Sequence, residues 1–440
     1  MQLSERQTIS VIRELRSPEQ LKELAKEGYA PSLAPKVNSH IHLPPNFSAF
    51  DSVGQAVCLA SRQGVRVLGV SNYYDFSVYE TFSRQAGQAG IFPLFGLEII
   101  AMLDESASKA ARVNDPDNPG KMYICGKGIT RFAKPTPRAT ELISTIRWND
   151  DRRMAEMIGR LDAVFSSHGL QTSLNNEAVI ARVVSRHGCP SQTVTLQERH
   201  VAQVFQESLF ENIEPQRHAQ FLCRLFGETS KVDPDDSIAI QGRIRSHFLK
   251  AGRPAFVDET FVNFQQAYEL ILELGGIPCY PVLADGADPI CEYETPIEKL
   301  IERLKESSIY MAELIPVRNR PEILSHYVRQ MRDAGIAVIA GTEHNTLELL
   351  PIEPTCAAGV AVPAEIKQIF VEGAYVVAAH QFLTLNGEQG FVDHSGDLNK
   401  AYETSKQRIS AFAQLGAAVV QCYYESDKSK FGSDGNHDSQ

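Results

Sequence analysis

Apolar and polar positions along the 440-residue chain fall into two periods, and their alternation is the first structural signal. From residue 50 the pattern predicts a helix over 53–63, a strand over 65–71, a helix around 77–89 and a strand over 92–100. Gly64 and Gly90 stand just past the two helix ends, where a left-handed residue closes the last turn. The rhythm returns after residue 262, with helices over 264–274, 296–307 and 321–334 and strands over 277–283, 309–315 and 335–340. Strands alternating with helices predict a parallel sheet with helical crossovers. A further strand is expected near 371–378, then a helix over 397–415 and an apolar stretch over 417–424.

Between the two alternating regions the pattern changes. Residues 104–120 are polar and turn-rich, 121–132 read as a strand, and 138–226 read as almost wholly helical with short breaks. The expected organisation is a helical extension over 1–30, with Ser17-Pro18-Glu19-Gln20 as a helix start. A β/α barrel follows over 31–103 and 261–424, interrupted by an inserted, mainly helical subdomain over 104–260. Residues 425–440 carry no apolar pattern and are expected to be disordered.

Composition narrows the class. Lysine and arginine number 43 against 54 aspartates and glutamates, a net charge of −11. That balance argues against long nucleic acid or an anionic membrane as a partner. No apolar run reaches membrane-spanning length, and the amino terminus has the charged pattern of an amphipathic helix, not a signal peptide. The eight cysteines show no Cys-x-x-Cys pair; they read as small core residues of a cytoplasmic protein, and a thiolate zinc site is not expected.

The chemistry gathers at predicted strand ends. In Val37-Asn38-Ser39-His40-Ile41-His42-Leu43-Pro44-Pro45 the strand period puts His40 and His42 on one face, and the two prolines stop the strand just after them. Two imidazoles so placed can hold one metal ion. The second strand runs into Ser71-Asn72-Tyr73-Tyr74-Asp75, the third places Glu98 near its end, and later strands end in Asp285, Glu313 and the cluster Thr342-Glu343-His344-Asn345. Taken singly, Asp75, Asp285 and Glu313 read as capping or pairing residues. Together the set suits Mn, Fe(II) or Zn at the carboxyl ends of barrel strands.

At this point the chain resembles the polymerase-and-histidinol-phosphatase (PHP) family of metal-dependent phosphoesterases over about residues 36–102 and 262–346. Its opening His-x-His is matched by His40 and His42, its glycine-valine-glutamate-isoleucine motif by Gly96-Leu97-Glu98-Ile99, and its closing glycine-serine-aspartate by Gly341-Thr342-Glu343. The insertion resembles that of members acting on nucleoside bisphosphates and short oligonucleotides, with Glu198-Arg199-His200-Val201-Ala202 in place of arginine-proline-histidine-isoleucine-alanine. Two departures stand out: Ser71-Asn72-Tyr73 replaces threonine-aspartate-histidine, and Ala284-Asp285-Gly286 replaces alanine-histidine-proline.

The resemblance implies a distorted seven-stranded (β/α) TIM-like barrel carrying divalent ions (Mn, Zn or Fe) on His40, His42, Glu98, Asp285 and Glu343. It implies hydrolysis of a small phosphate ester, a nucleotide being one option, by a metal-activated water. Arg199 and His200 would face the phosphate, and His344 or His200 would protonate the leaving oxygen. Two alternatives stay open. One is an amidohydrolase-type metal enzyme, which would want a lysine or further histidines at middle strand ends, and the predicted strand ends offer neither. The other is a degenerate barrel that binds a ligand or a partner without catalysis. Oligomeric state is left open.

Overall fold

The computed structural model describes residues 11–28, 35–103, 111–227, 233–258 and 261–431. Seven strands build one sheet in chain order: β1 (Lys36–Ile41), β2 (Val65–Val70), β3 (Phe92–Met102), β4 (Lys121–Lys127), β5 (Ile277–Val282), β6 (Met311–Leu314) and β7 (Ala337–Ala340). The first three are mutually parallel, as are the last three. The sheet curls until its ends meet. Ile41 bridges Glu343 in parallel, His42 N–H donates to the Glu343 carbonyl at 2.8 Å, and Thr342 and Glu343 N–H donate to the His40 carbonyl at 3.0 and 2.9 Å. The fold is the distorted TIM-like barrel expected.

Its distortion lies in β4, which is antiparallel to both neighbours. Leu103 N–H donates to the Gly120 carbonyl at 2.9 Å, so the chain re-enters the ladder where it left and must run back down. Lys127 therefore ends level with Gly96 and with Ile277, the first residue of β5. The strand read at 121–132 stops at Lys127 and belongs to the barrel sheet, although the sequence pattern placed it within the insertion.

Beyond β4 a 31-residue helix, α1 (Pro137–Ser167), joins two hydrophobic cores. Ala139, Leu142 and Ile146 on its first half belong to the barrel core. Met157, Ile158, Leu161 and Phe165 on its second half pack with Val201, Phe205, Leu209, Phe221 and Leu222. This second core draws on α2 (Asn176–His187), α3 (Glu198–Asn212), α4 (Pro215–Phe226) and α5 (Ser237–Ile244).

Two expected elements are corrected. The strand near 371–378 is the middle of a helix, α6 (Ala364–Leu385), which is apolar all round because it lies between β7 and the last helix, α7 (Ser405–Phe431). A Cβ at Gly373 would stand 2.1 Å from the Val338 carbonyl oxygen, and one at Gly416 1.9 Å from that of Tyr375. Only glycine permits such close packing on both faces. Helix α7 begins at Ser405, not near 397, and absorbs the 417–424 stretch. It also runs through 425–431, expected as tail; 432–440 lie outside the described residues. A short helix at Pro18–Lys26 packs on it and opens with the expected signal, Ser17 Oγ accepting from Gln20 N–H while Gln20 Oε1 accepts from Ser17 N–H.

Candidate metal centre

The end of β1 sends His40 and His42 into the barrel, and both are buried. Their Nε2 atoms lie 3.3 Å apart, and Glu98 from β3 places Oε2 3.3 Å from the first and 3.1 Å from the second. Metal bonds of about 2.0–2.1 Å at tetrahedral angles set ligand atoms about 3.3–3.4 Å apart. The three donors thus fit one ion. His40 and Glu98 also line a cavity of about 380 Å³, so the fourth side is open, as at catalytic metal sites.

A shell of partners holds the donors. His40 Nδ1–H donates to Glu313 Oε2 at 2.8 Å, so Nε2 is the ring nitrogen turned towards His42 and Glu98, and an ion bound there would displace its proton. Tyr73 O–H donates to Glu98 Oε1 at 2.7 Å, and its ring stacks on His42 with centroids 5.1 Å apart. Among the described residues His42 Nδ1 has no hydrogen-bond partner, so the Glu98 contact at Nε2 and the Tyr73 stack hold that ring. Burial and the Lys127 charge push the His40 imidazole down, but Glu313 and Glu98 outweigh them and it titrates at about 9. Burial lowers His42. Burial would raise Glu98, yet its hydrogen bonds with the two imidazoles hold it well below the usual carboxylate range.

Close packing fixes the position of His40. A methyl group on Gly341, just past β7, would lie 2.3 Å from His40 Cβ. Gly341→Ala is therefore expected to displace His40 and weaken zinc binding at least tenfold, measurable by chelator competition.

Other expected site residues go elsewhere. Glu343 lines the cavity, but its carboxylate is held by Arg318 at 2.9 and 2.5 Å and by Asn345 at 2.6 Å. Asp285 is taken by Arg320 Nε at 2.9 Å and Asn319 Nδ2 at 3.1 Å. Among the described residues neither carboxylate joins a group of metal-capable atoms. His344 stacks on Phe50, bonds the Leu350 carbonyl through Nε2 and meets Thr342 Oγ1 through Nδ1. Glu343 and His344 are successive non-glycine residues with φ of 57° and 52°, and that strained left-handed step turns the two side chains to different partners.

His200 is buried on the first turn of α3, where its Nδ1 accepts from Gln197 N–H at 3.1 Å and its ring meets Phe47 edge-on. Burial pushes it down to about 3, which favours the uncharged ring, a far weaker acid than an imidazolium. Neither His200 nor His344 lines the cavity, and the expected acid role falls away for both.

His380 is likewise buried, pushed down to about 4, with Gly275 and Phe391 as backbone partners. Both imidazoles stay neutral in the fold but take protons at about 6.5 when unfolded. Their contribution to stability is complete above 6.5 and is lost as pH falls from there towards 4 and 3. Denaturation midpoints should drop over that window, by roughly 1.4 kcal/mol per pH unit per imidazole. His380→Gln should flatten the slope.

Arg199 lines the cavity and has no hydrogen-bond or ion-pair partner among the described residues. Burial, then the neighbouring Arg245, pushes its guanidinium down to about 10. Among the described residues the buried Nε of Arg245 has no hydrogen-bond partner. Close by, Glu198 is ringed by Arg153 at 3.0 Å, Lys250 at 3.2 Å and Arg245 at 3.7 Å.

Three residues of the centre were not foreseen. Glu313 read singly as a pairing residue, Tyr73 as a departure, and Lys127 as part of an insertion. Lys127 from β4 puts a buried Nζ 2.8 Å from Glu313 Oε1 and 3.3 Å from His40 Nδ1, so a lysine does reach the centre from a middle strand. The available signal was a lone lysine closing the apolar run Met122-Tyr123-Ile124-Cys125-Gly126.

No family profile matches the chain, and no curated protein matches it. Among solved structures it is similar to an amidohydrolase from Chromobacterium violaceum, solved with sulfate and no metal. That match has a TM-score of 0.48 and 13% identity, covering 76% of this chain and 96% of the other. A candidate metal-dependent phosphoesterase from Bifidobacterium adolescentis gives a TM-score of 0.48 and 12% identity, over 77% and 96%. Among the described residues no helix is long and apolar enough to cross a membrane.

Proposed function

We propose that this chain is a metal-dependent hydrolase of small phosphate esters. The observation that supports this most is that two members of a metal-shaped triangle of His40, His42 and Glu98, namely His40 and Glu98, line one cavity with two guanidinium groups that are under-partnered among the described residues, Arg199 and Arg245. Two imidazoles and a carboxylate suit Zn, Mn or Fe(II). Such an ion, when bound, lowers the pKa of a water and stabilises charge on phosphoryl oxygens. The chain's own groups do the rest. Glu313 keeps the His40 tautomer correct, Tyr73 steadies Glu98, and the Arg199 and Arg245 forks bind the phosphate oxygens. The resemblance to the PHP family at His40-Ile41-His42 and Gly96-Leu97-Glu98-Ile99 points the same way. The cavity's size favours a small ester over a polymer.

One observation favours a second reading, an amidohydrolase-type enzyme: the lysine that this reading lacked is present as Lys127. Assays of the Zn-, Mn- and Fe(II)-loaded protein on bis(p-nitrophenyl) phosphate and nucleotides, beside amide and lactone substrates, separate the two. A loaded protein that turns over no phosphate ester would reject the first. Within it, Arg199→Gln is expected to raise KM about tenfold or more with kcat little changed, the size of one lost charged hydrogen bond.

A further inference from the structure

Below the three-donor triangle lies a second group of ligand-type atoms, from His40, Cys125 and Glu313, all buried and within 4.8 Å of one another. It shares His40 with the first group but through the opposite ring nitrogen, Nδ1. Taken alone, the two groups would describe a site for two ions. Lys127 changes that. Its Nζ stands inside the second group, 2.8 Å from Glu313 Oε1, 3.3 Å from His40 Nδ1, 3.0 Å from Ser71 Oγ and 3.5 Å from the Ser39 carbonyl oxygen.

We infer that the Lys127 ammonium is the permanent cation of this second position, and that the centre takes one divalent ion. The inference rests on the metal reading above. Three features carry it. Glu313 is wholly buried, and a buried carboxylate needs a cation beside it. Nζ stands 2.8 Å from Glu313 Oε1 and 3.0 Å from Ser71 Oγ, two acceptors that suit the donors of an ammonium. A second ion would have to stand where Nζ stands, and two cations at contact distance in a dry site repel strongly. The reversal of β4 makes the arrangement possible. It sets Lys127 level with Gly96, two positions before Glu98 on β3, and Lys127 is not among the residues that line the cavity.

Metal counting and chemical rescue test this. Wild-type protein saturated with zinc and freed of excess should hold one ion per chain, and anomalous diffraction should show one peak, at the His40–His42–Glu98 triangle. Lys127→Ala should lower the melting midpoint. Ethylammonium should raise it again by filling the vacated position, while tetramethylammonium, which has no N–H, should not. Lys127→Ala combined with Glu313→Gln should ignore both amines.

Two ions per wild-type chain would overturn the inference, even if no variant folds. So would an intact mass carrying one added carbon dioxide on Lys127, since a carbamate is an anionic ligand. A folded Lys127→Ala protein indifferent to ethylammonium would overturn it too. Wild-type protein that binds no ion at all would overturn the metal centre itself, a distinct result.

Discussion

Replacing His40 and His42 together by alanine is expected to strip the divalent ion and lower phosphate-ester hydrolysis roughly a thousandfold. A bound ion contributes several kcal/mol of charge stabilisation at the reacting oxygens, and about 4 kcal/mol corresponds to three decades in rate. The two imidazoles supply two of the three donors in the triangle, and Glu98 alone cannot hold an ion tightly. The fold should survive. Without its imidazole partners the Glu98 carboxylate still accepts from Tyr73 O–H, and it lines a cavity that admits water. Elemental analysis beside a hydrolysis assay checks both parts. Retention of either metal or activity by the double variant would refute the assignment.

Glu313→Ala is the second large effect, and it should act on two properties at once. It leaves the Lys127 ammonium buried without its carboxylate, and breaking a buried pair from one side costs about 3–5 kcal/mol. It also removes the acceptor that orients His40, and losing such a partner typically weakens metal binding 10- to 100-fold. The two effects are separable. Lys127→Met combined with Glu313→Met replaces the pair by apolar volume and should recover most of the stability, because no lone charge remains. It should not recover zinc affinity, because His40 Nδ1 still lacks its carboxylate. Urea denaturation followed by circular dichroism gives the first quantity and zinc titration the second. Equal recovery of both would mean that Glu313 serves only the ion pair.

The placement of Lys127 bears on why only part of this centre could be read from the chain. His40 and His42 were legible because a strand period of two puts them on one face and Pro44-Pro45 ends the strand there. Glu98 was legible as a carboxylate on an apolar strand that a helix precedes. Glu313 and Glu343 could not be ranked in the same way. Both are carboxylates at strand ends, and their roles differ only through what faces them. Glu313 faces His40 Nδ1 and Lys127, whereas Glu343 faces Arg318 and Asn345. His200 and His344 share that lesson: each looked like a catalytic imidazole, and each proves to be a buried hydrogen-bonding residue.

Local pattern by itself determined the alternation of strands and helices, the run of helices between β4 and β5 and the pair of imidazoles at one strand end. These depend on periodicity and on stop signals within a few residues, so short-range sterics and burial suffice. Tertiary structure alone decided the direction of β4, the helical state of residues 371–378, and which carboxylates meet the imidazoles. An apolar run is compatible with a strand or with a helix buried on all sides, and only its neighbours choose between them. A carboxylate becomes a metal ligand, the orienting partner of an imidazole or half of an ion pair according to the cation nearest to it. That cation comes from a segment far away in the chain.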